Sequence, residues 1–385
     1  MGEIVAAMAT VHAPQLFTRP PEEDPAQLDA SIAAMRQLGK RLDQIKPDVL
    51  IIFASDHMET FFLQSVPTFC IIAGDRADAV FAGKTWSPPI HQGLAEALLE
   101  GLVQRDFDMA YSQAAVLGHS FAALFEFIRE DRDIPVVPVF VNTYLPPLPS
   151  ARRCAALGKA IAEIVEQRPE RVAILASGGM SHYPGTTKYY TPAYDFDLWC
   201  INELENGHTD SFLNLSPEQL DEVGNTEMLP WAAALGAIGE QHMELLSYQP
   251  TPHHGHAVVE FHHGPRAGIA PPPERYQFHN GPFHFYNHPQ VAAYKLNKLL
   301  YDSRFKPQLR LRMLSDPETV GAEYGLRPDE IRVLARACRL EHNQTDKPAL
   351  DADPLVEIGA HPVGALMAIH VLQAEQRRMR KAAAR

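Results

Sequence analysis

Cysteine is scarce in this chain: four residues in 385, at positions 70, 154, 200 and 338, with no Cys-x-x-Cys pair. That spacing argues against a disulfide framework and against a zinc–thiolate site, and reads as free thiols in a reducing cytoplasm. Long apolar runs are missing too, none approaching the roughly 20 residues that span a bilayer. The N-terminus opens almost directly into a strand-like run, without the basic and apolar regions of a signal peptide. A cytoplasmic chain with no membrane partner is therefore expected. Positive charge is in the minority, 34 Lys and Arg against 47 Asp and Glu. The net charge of −13 argues against nucleic acid as a partner, while leaving an anionic small molecule open. No EF-hand, HExxH or P-loop motif is found. Gly236-Ala237-Ile238-Gly239 follows no strand, so it is not a dinucleotide fingerprint. Gly118-His119-Ser120-Phe121-Ala122 lacks the final glycine of a nucleophile elbow.

What is present is an ordinary globular composition, 46% hydrophobic and 21% charged, in a chain long enough for two domains. The organising stretch is Ser177-Gly178-Gly179-Met180-Ser181-His182-Tyr183-Pro184, which follows a buried-strand run from Val172 to Ala176. Its paired glycines let the backbone turn and approach its surroundings closely. Ile4 to Val11 is a similar run ending in His12-Ala13-Pro14, and Asp48 to Ser55 another, ending in Asp56-His57. Asp24-Pro25 predicts the start of a helix to Ile45, making residues 1–55 a β–α–β unit with parallel strands. Strands are expected at 69–73, 109–113, 134–141 and 258–262. Helices are expected at 91–104, 121–128 and 151–166, and over most of 194–241. The fold class is α/β: a mixed central sheet flanked by helices, then a small all-α C-terminal domain. The proline-rich stretch Gly264 to Pro273 reads as the linker, dividing the chain into 1–275 and 276–385. Beyond it, helices are expected at 290–301, 306–316, 317–324, 328–338 and 363–380, with a solvated, frayed basic tail from Arg377.

Three strand ends that each carry a histidine suggest a metal or acid–base centre. His12 and His57 suit a borderline metal such as Fe, Mn or Zn. Glu227 opens an otherwise apolar helix, as a first-turn residue complementing the helix dipole or as a third ligand. His182 fits a general acid/base, or a histidine that satisfies a turn. His119 is a second proton-handling candidate, beside a possible helix cap at Ser120. Of His253, His254, His256, His262 and His263, one or two are expected to line a pocket. His254 and His256 would share one strand face and His253 take the other.

Taken in order, His12-Ala13-Pro14, Ser55-Asp56-His57, Gly118-His119-Ser120, Gly178-Gly179-Met180-Ser181-His182 and Glu227 before Trp231 resemble the class III (LigB-type) extradiol ring-cleavage dioxygenases over about residues 1–263. Tyr294-Lys295-Leu296-Asn297-Lys298, Tyr324-Gly325-Leu326 with Pro328-Asp329-Glu330, and Gly359-Ala360-His361-Pro362 look like the small LigA-type partner, fused here as in gallate dioxygenases. The resemblance implies Fe(II) held by His12, His57 and Glu227, with His182 as acid/base and His119 as a second active-site histidine. It implies a small aromatic diol and O2 as substrates, a helical lid at 276–385, and a homodimer. One departure is that Pro252-His253-His254 stands where protocatechuate and gallate enzymes carry a Ser-Asn-Thr stretch that holds the substrate carboxylate. A different ring substituent or a dihydroxypyridine is thereby opened, with His253, His254 and His256 as substrate-pocket candidates. The competing expectations are a zinc-dependent hydrolase or amidase using the same ligands, and a non-catalytic binding protein.

Overall fold

The apolar runs form the centre of an eight-stranded sheet in the computed structural model, which describes residues 2–239, 241–264, 275–279, 285–339 and 353–383. In chain order the strands are β1 (Glu3–Thr10), β2 (Val49–Ser55), β3 (Phe69–Ile72) and a separate hairpin of β4 (Ala79–Phe81) and β5 (Lys84–Trp86). There follow β6 (Ala110–Ser112), β7 (Val136–Val141), β8 (Arg171–Ser177), β9 (Gln241–Thr251) and β10 (His254–His263). The sheet order is β6-β3-β7-β2-β8-β1-β10-β9. Strands β7, β2, β8 and β1 are parallel, whereas β10 and β9 run antiparallel to their neighbours, so the sheet is mixed as expected. β1 and β2 are parallel but not adjacent, because β8 lies between them and Ile174 is in register with both Ala7 and Ile51. All seven residues of β2 are buried, which is why its sequence is a continuous apolar run and not an alternation.

Helices cover both faces. Helix Pro25–Ile45 starts as expected, with the Asp24 carboxylate accepting from Ala26 N–H and proline in its first turn. It packs against β1, β9 and β10, and its Ser31 meets His256. Helix Leu229–Ile238 lies across β1, β2 and β8, and its Trp231 meets Phe261. Residues 256 and 261 are an odd number apart on β10, so these helices sit on opposite faces. Leu229–Ile238 is buried nearly all round because Ala151–Val165 packs on its outer side. Gly236 is there for contact: a Cβ at this position would fall 1.9 Å from the Ala155 carbonyl oxygen.

The structure corrects several expectations. Strand β9 was absent from the sequence reading, and β10 begins at His254, not 258. The helix expected at 121–128 is an α-helical turn His119–Leu124 running into π-helix Phe125–Arg129. The linker expected from Gly264 lies, from residue 265 on, outside the described residues. Helices Tyr294–Phe305, Pro307–Ser315, Pro317–Glu323, Pro328–Arg339, Asp353–Glu357 and Pro362–Ala383 follow. They enclose an apolar core of their own, around Leu296, Leu300, Met313, Val320, Leu334 and Leu372. The basic tail is exposed as expected, but it continues the last helix to Ala383 and does not fray at Arg377.

Candidate metal centre and acid–base site

Parallel strands deliver their C-terminal ends to one edge of the sheet, where α/β proteins bind ligands. β1 leads to His12, β2 to His57, β8 to His182 and β7 to Tyr144, while antiparallel β10 begins at this edge with His254. Glu227 comes from the other direction, on the 3₁₀ turn Thr226–Met228 that enters the buried helix.

Oε1 of Glu227 lies 3.0 Å from His12 Nε2 and 2.6 Å from His57 Nε2, and accepts the Ser55 hydroxyl at 3.0 Å. Its Oε2 accepts Gly179 N–H at 3.0 Å and is 3.4 Å from His182 Nε2. Glu227 is fully buried. Burial works to raise its pKa, but His12, His57 and His182 outweigh it and hold the carboxyl well below its ordinary value. Burial, and then the neighbouring His119, depresses His57 to about 3, so its imidazole is neutral.

A hydrogen-bond chain orients the His12 ring. Ser177 donates its hydroxyl to the Ser120 carbonyl, so it accepts from His12 Nδ1–H at 3.0 Å. Nε2 of His12 is thereby turned to the Glu227 carboxylate, one oxygen of which also meets His57 Nε2. Two imidazole nitrogens converging on one buried carboxylate oxygen form a donor set that a divalent cation can bridge. Two imidazoles and one carboxylate, all buried, fit a divalent metal ion, and no lysine or arginine is paired with Glu227 among the described residues. Side-chain atoms able to ligate a metal converge in two buried groups, His12–His57–His119 and His182–Glu227–His254.

Around these ligands the tautomers are set. His182 Nδ1–H donates to the Met180 carbonyl at 2.7 Å, so Nε2 accepts the Tyr144 hydroxyl at 2.9 Å. Burial lowers the pKa of His182. His254 stacks on His182 with centroids 3.9 Å apart. That contact is why residue 179 is glycine: a Cβ there would lie 1.7 Å from His254 Nε2. His119 places its ring 4.2 Å from that of His57 and donates Nδ1–H to Glu59 at 2.8 Å. Arg304, from the helical C-terminal region, faces Glu59 at 3.4 Å and donates to the His57 and Met58 carbonyls. His361, from the same region, donates to the Tyr144 carbonyl at 2.8 Å.

The structure thus gathers His12, His57, His119, His182, Glu227 and His254 into one buried cluster. His256 stands one ring further out, 4.9 Å from His254 on the shared strand face expected for them. His253 is not on the strand's other face, because it lies in the turn between β9 and β10, stacked on Tyr189. Sequence reasoning missed Tyr144, Glu59 and Arg304, and placed His361 in the LigA-like stretch without a role at the site. Tyr144 follows a strand at the same edge as the histidines, and this was its only signal.

The family described as "Catalytic LigB subunit of aromatic ring-opening dioxygenase" matches residues 6–259, and the chain belongs to it. Among curated relatives, "2,3-dihydroxyphenylpropionate/2,3-dihydroxicinnamic acid 1,2-dioxygenase" of Klebsiella pneumoniae (strain 342) is 34% identical, over 45% of this chain and 55% of its own. The protein of the same name from Burkholderia vietnamiensis is 38% identical, over 39% and 47%. The chain spans about half the length of the curated relatives it matches. A solved structure titled "Crystal structure of uncharacterized protein JW3007 from Escherichia coli K12" aligns with TM-score 0.46 and 16% identity, over 66% of this chain and 99% of that one.

Proposed function

We propose that this chain is an Fe(II)-dependent extradiol dioxygenase that opens a catechol-like or dihydroxypyridine ring with O2 in aromatic-compound catabolism. One observation carries the reading: the Nε2 atoms of His12 and His57 meet Oε1 of Glu227 within 3.0 Å in a buried site where, among the described residues, no lysine or arginine pairs with the carboxylate. The family and the names of the relatives support a ring-opening reaction. In this reading His12, His57 and Glu227 would hold iron, which would supply Lewis-acid and redox chemistry toward a ring diol and O2.

The proton work falls to the chain. His182 can take a ring-hydroxyl proton on Nε2, the nitrogen left basic by the Met180 bond. The Tyr144 oxygen, 2.9 Å away, then turns from donor to acceptor and holds the new N–H in place for its return. His119, anchored through Nδ1 to Glu59, presents Nε2 as the second proton-handling group. His254 walls the pocket by its stack on His182.

The same reading makes 1–275 the catalytic domain and 276–385 a fused LigA-like lid. Its separate apolar core and the reach of Arg304 and His361 toward the site support that division. A cytoplasmic homodimer completes it. Four buried free cysteines fit that compartment, and light scattering checks the dimer.

The test is O2 uptake by protein reconstituted anaerobically with Fe(II), with spectra recorded for a ring-opened product. Glu227→Ala should lose iron. His182→Ala should keep iron and lose turnover by about 10²–10⁴-fold. Bound iron without uptake from any catechol or dihydroxypyridine sinks ring cleavage, and zinc binding with O2-independent hydrolysis would put the hydrolase or amidase in its place.

A further inference from the structure

A second buried polar cluster lies beside the first and takes no part in the chemistry above. Its centre is Glu23, on the loop that follows His12, 4% exposed and with no hydrogen-bond partner for either carboxyl oxygen. Nε2 of His253 faces Glu23 Oε1 at 3.2 Å. The Gln15 side-chain amide donates to that same nitrogen at 2.7 Å, so Nε2 presents a lone pair. The hydrogen of the His253 ring is then on Nδ1, which is buried and also unpartnered. Burial holds His253 at about 3, so it carries no charge to offset Glu23. Glu23, buried and next to Glu22, is itself pushed up to about 7. No lysine or arginine pairs with Glu23 among the described residues. A carboxyl buried in this way costs free energy unless a donor reaches it.

The segments that build the site also build this cluster. Gln15 is three residues beyond His12, and His253 immediately precedes His254, whose ring stacks on His182. Tyr189, on the loop after His182, stacks on His253 at 4.6 Å and packs under Leu366 of the last helix.

We propose that Glu23, His253 and Gln15 form a subsite for the substrate's further ring substituent, and that this substituent is a cationic N–H donor, an alkylammonium or protonated ring nitrogen, not a carboxylate. The inference rests on the ring-cleavage reading above. A carboxylate beside Glu23 would face a second carboxyl group and the Nε2 lone pair of His253, with no lysine or arginine paired there among the described residues. The curated relatives are named for a propionate-bearing catechol, so the expected preference is opposite to the one those names carry.

The experiment is calorimetric binding to the iron-loaded protein under nitrogen, using two catechols of matched length. One is 2-(2,3-dihydroxyphenyl)ethylammonium and the other 3-(2,3-dihydroxyphenyl)propionate. The ammonium ligand should bind at least about tenfold tighter. Glu23→Gln, equal in shape, should cut that ratio by about tenfold, with a thermal melt reporting that the variant is folded. Tighter binding of the carboxylate, or a ratio that Glu23→Gln leaves in place, overturns the subsite. Should the variant not fold, the wild-type comparison decides alone. O2 uptake with unsubstituted catechol separates the two readings. Uptake with the wrong binding preference sinks only the subsite, and the right preference without uptake from any catechol or dihydroxypyridine sinks only ring cleavage.

Discussion

Gly179 shows how closely single residues are fixed here. The His254 ring is stacked on His182 on one side and meets His256 edge-on on another, so it cannot retreat from a new methyl group. Gly179→Ala should therefore cost about 1–3 kcal/mol of stability through overpacking. It should also lower turnover by displacing the stack; urea denaturation and steady-state kinetics read the two. Unchanged values for both would mean that the loop has room which the 1.7 Å approach denies. The same stretch was legible in the sequence, because paired glycines ahead of a histidine have few other uses at a strand end. Tyr144 was not legible. It sits three residues past β7 among prolines, and only the sheet order reveals that β7 ends beside β2 and aims its successor at His182.

At the scale of elements, continuous apolar runs gave away β1, β2, β7 and β8, since strands buried on both faces have no polar positions to confuse the reading. Strand β9 hid for the opposite reason. Gln241 to Thr251 forms an edge strand, half-buried along most of its length, whose pattern alternates poorly across the irregularity opposite Val258 and Val259. Helix Tyr294–Phe305 hid its function differently. Nothing in the sequence singles out Arg304, yet its side chain is 4% exposed and is aimed at Glu59 and at the carbonyls of His57 and Met58. Arg304→Met should cost about 3–5 kcal/mol, because it leaves the Glu59 charge buried without its cation. Lysine should not restore the loss, since one ammonium cannot replace a planar fork serving a carboxylate and two carbonyls. Urea melts check this. Recovery of full stability in Arg304→Lys would show that charge alone is needed.

For the whole molecule, the buried histidines set a direction for acid sensitivity. Burial leads the lowering of His57, His253 and His256 to about 3 and of His361 to about 4, and it lowers His182 and His254 as well. Each takes up a proton near pH 6.5 when unfolded but not when folded, so its contribution is present above that pH and is lost on acidification. Burial has the opposite consequence for Glu23 and Asp197, raised to about 7, and Asp56, raised to about 6. These stay protonated in the fold while the unfolded chain has released its protons, so they favour the fold as pH falls from 7 toward 4. Six groups against three leave the unfolded state with the larger proton uptake in that window. The melting temperature of metal-free protein, held in chelator, should therefore fall as pH is lowered from 6.5 to 5. If His12, His57 and Glu227 hold Fe(II) as proposed, saturating Fe(II) should steepen the fall, because the ion competes with protons for the imidazoles and stabilises only the folded chain. A metal-free melting temperature that holds constant or rises over this range would mean that the carboxyls, not the imidazoles, govern the acid limb.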